Sequence, residues 1–249
     1  MDHLNTKIVA IHQPNYFPWA GYFYKMFCSD VFVFLDHVQL NKQSYTRRTL
    51  LPTDEPKANK IWLTVPLLKH SDLQTIHTLQ VDFQQDWQAY HLARIEQYYR
   101  TFPFFHEMIA LVKSCFDEID AKTLLSEINI KIIKKIAEKL GITPQYFNSS
   151  ELELISSKNE LNVEIVQKLN ASIYLSGEGS KNTYLDESLF MKNNIEVQFT
   201  HFNTLAKTSP YRIHPNATSA SIIDAMAYLG IQGVQDYFNT LKHIEKPNT

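Results

Sequence analysis

The chain of 249 residues carries a formal net charge of −2, with 44% hydrophobic and 20% charged residues. That composition excludes an intrinsically disordered chain and provides no electrostatic pull towards nucleic acid. The length suits one large domain or two small ones, enough to bury about three quarters of the surface that the unfolded chain exposes. In chain order, the apolar run 8–11 predicts a first strand. It leads into His12-Gln13-Pro14-Asn15-Tyr16-Phe17-Pro18-Trp19, a loop closed by Gly21, before helical spacing starts at Tyr22, Phe23, Met26 and Phe27. Each proline fixes its own φ and pushes the preceding residue towards extended geometry, so the loop is predicted to be rigid rather than a mobile lid. The apolar run 30–36 predicts a second, buried strand. Strand predictions follow at 45–51, 62–67 and 75–83, the first two separated by a charged loop over 52–60. Pro66 cannot donate to a ladder and puts its strand at an edge.

The middle of the chain turns helical. Trp87, His91, Ile95 and Tyr98 keep helical spacing, and Pro103 opens a further helix through Ile109 and Val112. Over 123–140 an apolar stripe of Leu125, Ile128, Ile132 and Ile136 opposes Lys131, Lys134, Lys135 and Lys139, read as a solvated face. Strand and helix then alternate. Strands are predicted at 145–148, 172–175 and 195–200, with helices around Leu161–Leu169 and 184–191 between them. The end is helical from Ser221 and breaks at Gly230. This rhythm predicts an α/β fold: a doubly wound, mostly parallel sheet with a helical C-terminus. The expected organisation is a single domain over 1–249, with a helical segment at about residues 85–140 between two strand-rich parts.

In open α/β sheets, ligands sit beyond the carboxyl ends of the strands, where the strand order switches. The predicted strand ends carry His12-Gln13, Asp36-His37, Ser149-Ser150, Ser176-Gly177 and His201, so one crevice lined by such groups is expected. Imidazole titrates near neutrality, which makes His12 the candidate general base. Asp36 is the second catalytic candidate, to orient a base or hold a substrate hydroxyl or amine. Gln13 and Asn15 are the polar groups of the loop, and Tyr16 and Trp19 the rings that can stack on a sugar or base. The segment Ser176-Gly177-Glu178-Gly179-Ser180 follows a strand and precedes a helix bearing Tyr184. Its backbone amides can cradle an anion or a developing oxyanion. It lacks the Gly-Lys-Ser/Thr of a P-loop and the third glycine of a dinucleotide fingerprint. Gln39, Arg47 and Arg48 are further binding candidates. The two guanidiniums suit phosphates, but on a strand they point to opposite faces, so at most one faces the site. No metal-ligand spacing occurs among the ten histidines and two cysteines, and Cys28 and Cys115 are expected to be buried thiols.

Several segments carry a resemblance. They are His12-Gln13-Pro14-Asn15-Tyr16-Phe17-Pro18-Trp19 with Gly21-Tyr22-Phe23, then Asp36, Gln39 and Arg48, Leu63-Thr64-Val65-Pro66, and Trp87. Tyr174-Leu175-Ser176-Gly177 with Tyr184-Leu185 and Ser221-Ile222-Ile223-Asp224 complete the set. Together they resemble the WbqC-like protein family over almost the whole chain. Members of that family occur in bacterial gene clusters for O-antigen and other surface polysaccharides. The resemblance implies transfer of an acyl or aminoacyl group, such as glycine, onto an amino sugar in lipopolysaccharide O-antigen biosynthesis. The substrate is then expected to be a nucleotide-linked amino sugar, and the donor an acyl or aminoacyl carrier protein or a coenzyme A thioester. With no ATP motif in the chain, ATP ranks behind these. The segment Thr208-Ser209-Pro210-Tyr211-Arg212-Ile213-His214 departs from the family pattern, which bears on the acceptor.

Two other functions fit the same residues. The first sixty residues are similar at fold level to nucleotidyltransferase-like and pantoate-activating enzymes, although the second histidine of their His-x-Gly-His motif is missing. That likeness implies nucleotidyl or adenylyl transfer. A sugar-nucleotide-binding protein without catalysis is the remaining alternative. No apolar run reaches the about 18 residues of a membrane span, and the start has no signal pattern, so a cytoplasmic protein without membrane insertion or nucleic-acid partner is expected.

Overall fold

The computed structural model describes residues 6–41, 44–55, 58–117, 119–181, 183, 185–205 and 219–245. The first half contains β1 (Ile8–His12), α1 (Ala20–Phe27), β2 (Val31–Phe34), β3 (Arg48–Glu55) and β4 (Ala58–Thr64). Three helices follow: α2 (Trp87–Tyr99), α3 (Phe105–Ser114) and α4 (Leu125–Lys139). The second half runs β5 (Gln145–Asn148), α5 (Lys158–Lys168), β6 (Ile173–Gly177), α6 (Glu187–Lys192) and β7 (Glu196–Thr200). It ends with α7 (Phe202–Leu205) and α8 (Ile222–Glu245).

Five strands form one parallel sheet in the spatial order β5-β2-β1-β6-β7. Helices cover both faces, so the central strands are apolar on both sides and read as continuous hydrophobic runs. Along β1, Ala10 packs into a core shared with α1, α4 and α8, whereas Val9 and Ile11 pack against Ile165 and Val166 of α5 and Phe190 of α6. The period of two then carries His12 to the same side as Ala10. The predicted doubly wound α/β fold with a helical C-terminus is the fold observed. Gly230 interrupts α8 at φ 72°, where a Cβ would lie 2.6 Å from Phe104 Cδ1, so glycine is required there by both backbone and packing.

Two predictions need correction. The charged loop expected over 52–60 is largely strand. β3 pairs antiparallel with β4 from Arg48↔Thr64 to Glu55↔Ala58, because Thr49, Leu50 and Leu51 face the β-favouring Ile61, Trp62 and Leu63 across a two-stranded ribbon. Such a ribbon tolerates Pro52, and its register shifts between Pro52 and Glu55. The strand expected over 75–83 is instead a 3₁₀ turn at Ile76–Thr78 flanked by isolated bridges. Thr78 Oγ1 donates to Thr75 O at 2.9 Å and closes that turn locally, which a strand would not allow.

Candidate functional site

The order of the strands places β1 at the switch point, with β2 and β5 on one side and β6 and β7 on the other. The ladder between β1 and β6 ends at Ala10↔Leu175. Beyond it β1 stays with β2 as far as His12↔Phe34, and β6 stays with β7 as far as Gly177↔Thr200. The two halves therefore part at their carboxyl ends. The gap is a cavity of about 250 Å³ lined by His12, Trp19, Gly21, Lys25, Ser176 and the turn from Gly177 to Ser180. This is where a doubly wound sheet binds its ligand.

His12 and Lys25 both line this cavity. His12 Nδ1 lies 3.1 Å from Gln13 O. A carbonyl oxygen only accepts, so Nδ1 carries the proton and Nε2 keeps its lone pair. Burial first, then the Lys25 charge, pushes the imidazole down to about 3, so it is neutral at physiological pH. Edge contacts with Tyr22 at 4.7 Å and Trp19 at 5.4 Å between centroids hold the ring. Lys25 is 6% exposed, and its Nζ donates to Ile11 O at 2.9 Å, the carbonyl left where β6 parts from β1. Burial lowers the Lys25 ammonium to about 7. Glu178 lines the same cavity, but its carboxylate accepts from Thr204 N at 2.9 Å and Thr204 Oγ1 at 2.6 Å.

The loop between β1 and α1 is fixed carbonyl by carbonyl. Gln13 O accepts from Tyr22 OH at 3.2 Å, and Pro14 O from Asn129 Nδ2 at 2.8 Å. Phe17 O accepts from Thr49 Oγ1 and Ser221 Oγ at 2.8 and 3.0 Å, and Pro18 O from Ile222 N at 2.7 Å. These bonds hold Phe17 at φ 39°, a left-handed conformation that a bulky side chain rarely adopts. A second cavity of about 430 Å³ lies on the outer side of the loop, lined by Gln13, Asn15, Ser44 and Tyr45, and it shares His12, Trp19 and Asn203 with the first. Gln13 Oε1 and Asn15 Oδ1 both accept from Thr46 Oγ1, at 3.1 and 3.4 Å, so each side chain keeps an NH₂ group to offer a ligand. Together the two cavities have the size of a site for a drug-sized molecule, roughly 300–1,000 Å³.

On the opposite wall, Ser176 Oγ and Ser180 Oγ lie 2.8 Å apart, and Ser180 Oγ also donates to Gly177 O at 2.8 Å. A Cβ added at Gly177 or Gly179 would meet nothing within 4 Å. Neither glycine is needed for packing, and neither has a positive φ. Their effect is to leave bare backbone facing the cavity, where a ligand can approach closely.

The WbqC-like protein family matches residues 13–236, from the residue after His12 through the Ser176 to Ser180 turn and most of α8. The chain belongs to the WbqC-like protein family. It is also similar to the uncharacterized protein Rv1507c of Mycobacterium tuberculosis, with 30% identity over 198 residues that cover 79% of this chain and 83% of that protein. No solved structure matches the chain.

The crevice of this WbqC-like protein brings together His12, Trp19, Ser176, Gly177, Gly179 and Ser180, with Gln13 and Asn15 in the adjoining cavity. Other candidates lie elsewhere. Tyr16 is fully buried in the core, its hydroxyl 2.8 Å from His91 Nδ1, with its ring edge-on to Phe17 and Trp87. Asp36 is 3% exposed and outside both cavities. Its carboxylate accepts from Ser149 Oγ, Ser150 N and Ser150 Oγ, tying β2 to the turn after β5. Gln39 is exposed and pairs with Thr75 in an isolated bridge. Arg47 and Arg48 line neither cavity, and the Arg48 guanidinium sits 4.1 Å above the Trp62 ring. Tyr184 and the atypical segment 208–214 lie outside the described residues. Cys28 and Cys115 are free thiols pushed up to about 11 and about 12 by burial, which leaves them poor nucleophiles.

Lys25 was missed by the sequence reading. The available signal was the composition of α1, Ala-Gly-Tyr-Phe-Tyr-Lys-Met-Phe, which is apolar all round. A single charge in such a helix has to point inwards or snorkel, because no polar face exists to receive it.

Proposed function

We propose that this WbqC-like protein is an acyl- or aminoacyltransferase, of the glycine-transferring kind, that acts in the cytoplasm on a nucleotide-linked amino sugar for O-antigen or other surface polysaccharide. The observation that carries this reading is the position of His12. It is neutral, fixed as the Nδ1–H tautomer, and lies at the junction of two cavities that can receive two substrates. Acylation of an amine needs that arrangement. The sugar nitrogen attacks the carbonyl carbon of a thioester on a carrier protein or coenzyme A, and the carbon–sulfur bond breaks. The amine proton passes to His12 Nε2 and then to the departing thiolate. The carbonyl oxygen gains negative charge on the way, and the NH₂ groups of Gln13 and Asn15 are the donors on that side. Trp19, lining both cavities, offers a ring face to the sugar.

A strand order that turns at β1 is the one in which doubly wound sheets take nucleotides, and this favours nucleotidyl or adenylyl transfer as a second reading. The two are separated by incubating the protein with uridine- or thymidine-linked amino sugars and glycyl or acyl thioesters, with and without ATP, and analysing products by mass spectrometry. Acyl transfer yields an N-acylated sugar and free thiol without ATP. Release of pyrophosphate would select the second reading, and binding without product would remove both.

A further inference from the structure

Among the described residues, the cavity between β1 and β6 holds a cation without a matching anion. Lys25 Nζ is almost fully buried and meets one acceptor among the described residues, Ile11 O, although an ammonium has three donors. Buried charges in proteins are normally paired. The titratable groups that line the cavity with Lys25, among the described residues, are Tyr22 on its own helix, His12 from β1, Tyr174 from β6 and Glu178 from the following turn. Only Glu178 is an acid, and its carboxylate is taken by Thr204 N and Oγ1. Opposite Lys25 stand the paired hydroxyls of Ser176 and Ser180 and the open backbone of Gly177 and Gly179. A cation facing bare backbone across one space supplies the components of a phosphate site.

We propose that Lys25 and the turn from Ser176 to Ser180 bind the diphosphate of the nucleotide-linked substrate, so that its sugar end extends past His12 towards the cavity lined by Asn15 and Tyr45. This assigns an orientation within the site and rests on the transferase reading for the identity of the substrate alone. It also relieves the lesser of the two influences on His12. The Lys25 charge is one of two influences that hold the imidazole down, and a bound diphosphate balances it.

Calorimetric titration of the full chain with uridine diphosphate and thymidine diphosphate, with uridine and thymidine as controls, tests the assignment. Because Lys25 is lowered to about 7 in the empty cavity, an anion that pairs with it restores the proton. Above pH 7 the diphosphates should therefore bind with uptake of close to one proton, read from buffers of different ionisation heat, and affinity should fall about tenfold per pH unit. The nucleosides should show neither effect. Lys25→Gln should weaken diphosphate binding at least about tenfold near pH 7 and abolish the proton uptake. Binding without proton uptake by the unaltered protein overturns the proposal, as does unchanged affinity in Lys25→Gln. If that variant does not fold, the unaltered protein decides alone. Diphosphate binding with proton uptake but no acyl transfer would support this site and refute the transferase. Acyl transfer with Lys25-independent binding would do the reverse.

Discussion

Replacing Lys25 by methionine should stabilise the protein at neutral pH while impairing its site. The ammonium falls from 10.5 in the unfolded chain to about 7 in the crevice because burial removes its water. That difference corresponds to about 5 kcal/mol at 1.4 kcal/mol per tenfold change. Between pH 7 and 10.5 the unfolded state holds a proton that the native state has released, so native stability rises with pH through that window. Below pH 7 both states are protonated and the full cost remains. Methionine matches the lysine stem in length and needs no hydration. Its introduction leaves Ile11 O without the Lys25 donor, at a cost of about 1–3 kcal/mol. The net expectation is a gain of about 2–4 kcal/mol at pH 7, turning into a loss of about 1–3 kcal/mol near pH 10.5. Urea unfolding of both proteins across this pH range measures the difference directly. A difference that does not vary with pH would show that Lys25 is not a destabilised ammonium.

Trp19→Ala should weaken binding of the nucleotide-linked sugar at least about tenfold with a small drop in melting temperature, because the ring lines both cavities and is only half-buried; calorimetry and thermal scans on one sample separate the two effects. Asp36→Asn should cost about 1–3 kcal/mol by disturbing its bonds to Ser149 and Ser150 while leaving ligand affinity intact, measured by urea unfolding and titration. Asn129→Leu removes the donor to Pro14 O and Thr46 O. It should release the loop after β1, seen as faster amide hydrogen exchange at residues 13–19 than in the unaltered protein.

The sheet was legible in the sequence because its strands are buried on both faces, and runs such as Val31-Phe32-Val33-Phe34 have no other use. The α4 stripe and the break at Gly230 were equally plain, since local periodicity and a positive φ leave local marks. The crevice was legible only in part. His12 and Ser176 could be placed at strand ends, but the parting of β1 from β6 after Ala10↔Leu175 is a long-range event. That parting is what buries Lys25. The rings of the loop illustrate the same boundary. Tyr16 and Trp19 look alike as sequence, yet one is anchored inwards at His91 and the other lies between two cavities. Asp36, placed by the sequence at a strand end, is occupied by two serines that lie more than a hundred positions away.

A crystal structure of the protein with a uridine- or thymidine-linked amino sugar would show whether the acceptor amine sits beside His12. The diphosphate should lie against Lys25 and the Ser176 to Ser180 turn, with the sugar nitrogen about 3 Å from His12 Nε2, within reach of proton transfer. A sugar nitrogen bound away from His12, or a nucleotide seated outside the gap between β1 and β6, would contradict this placement.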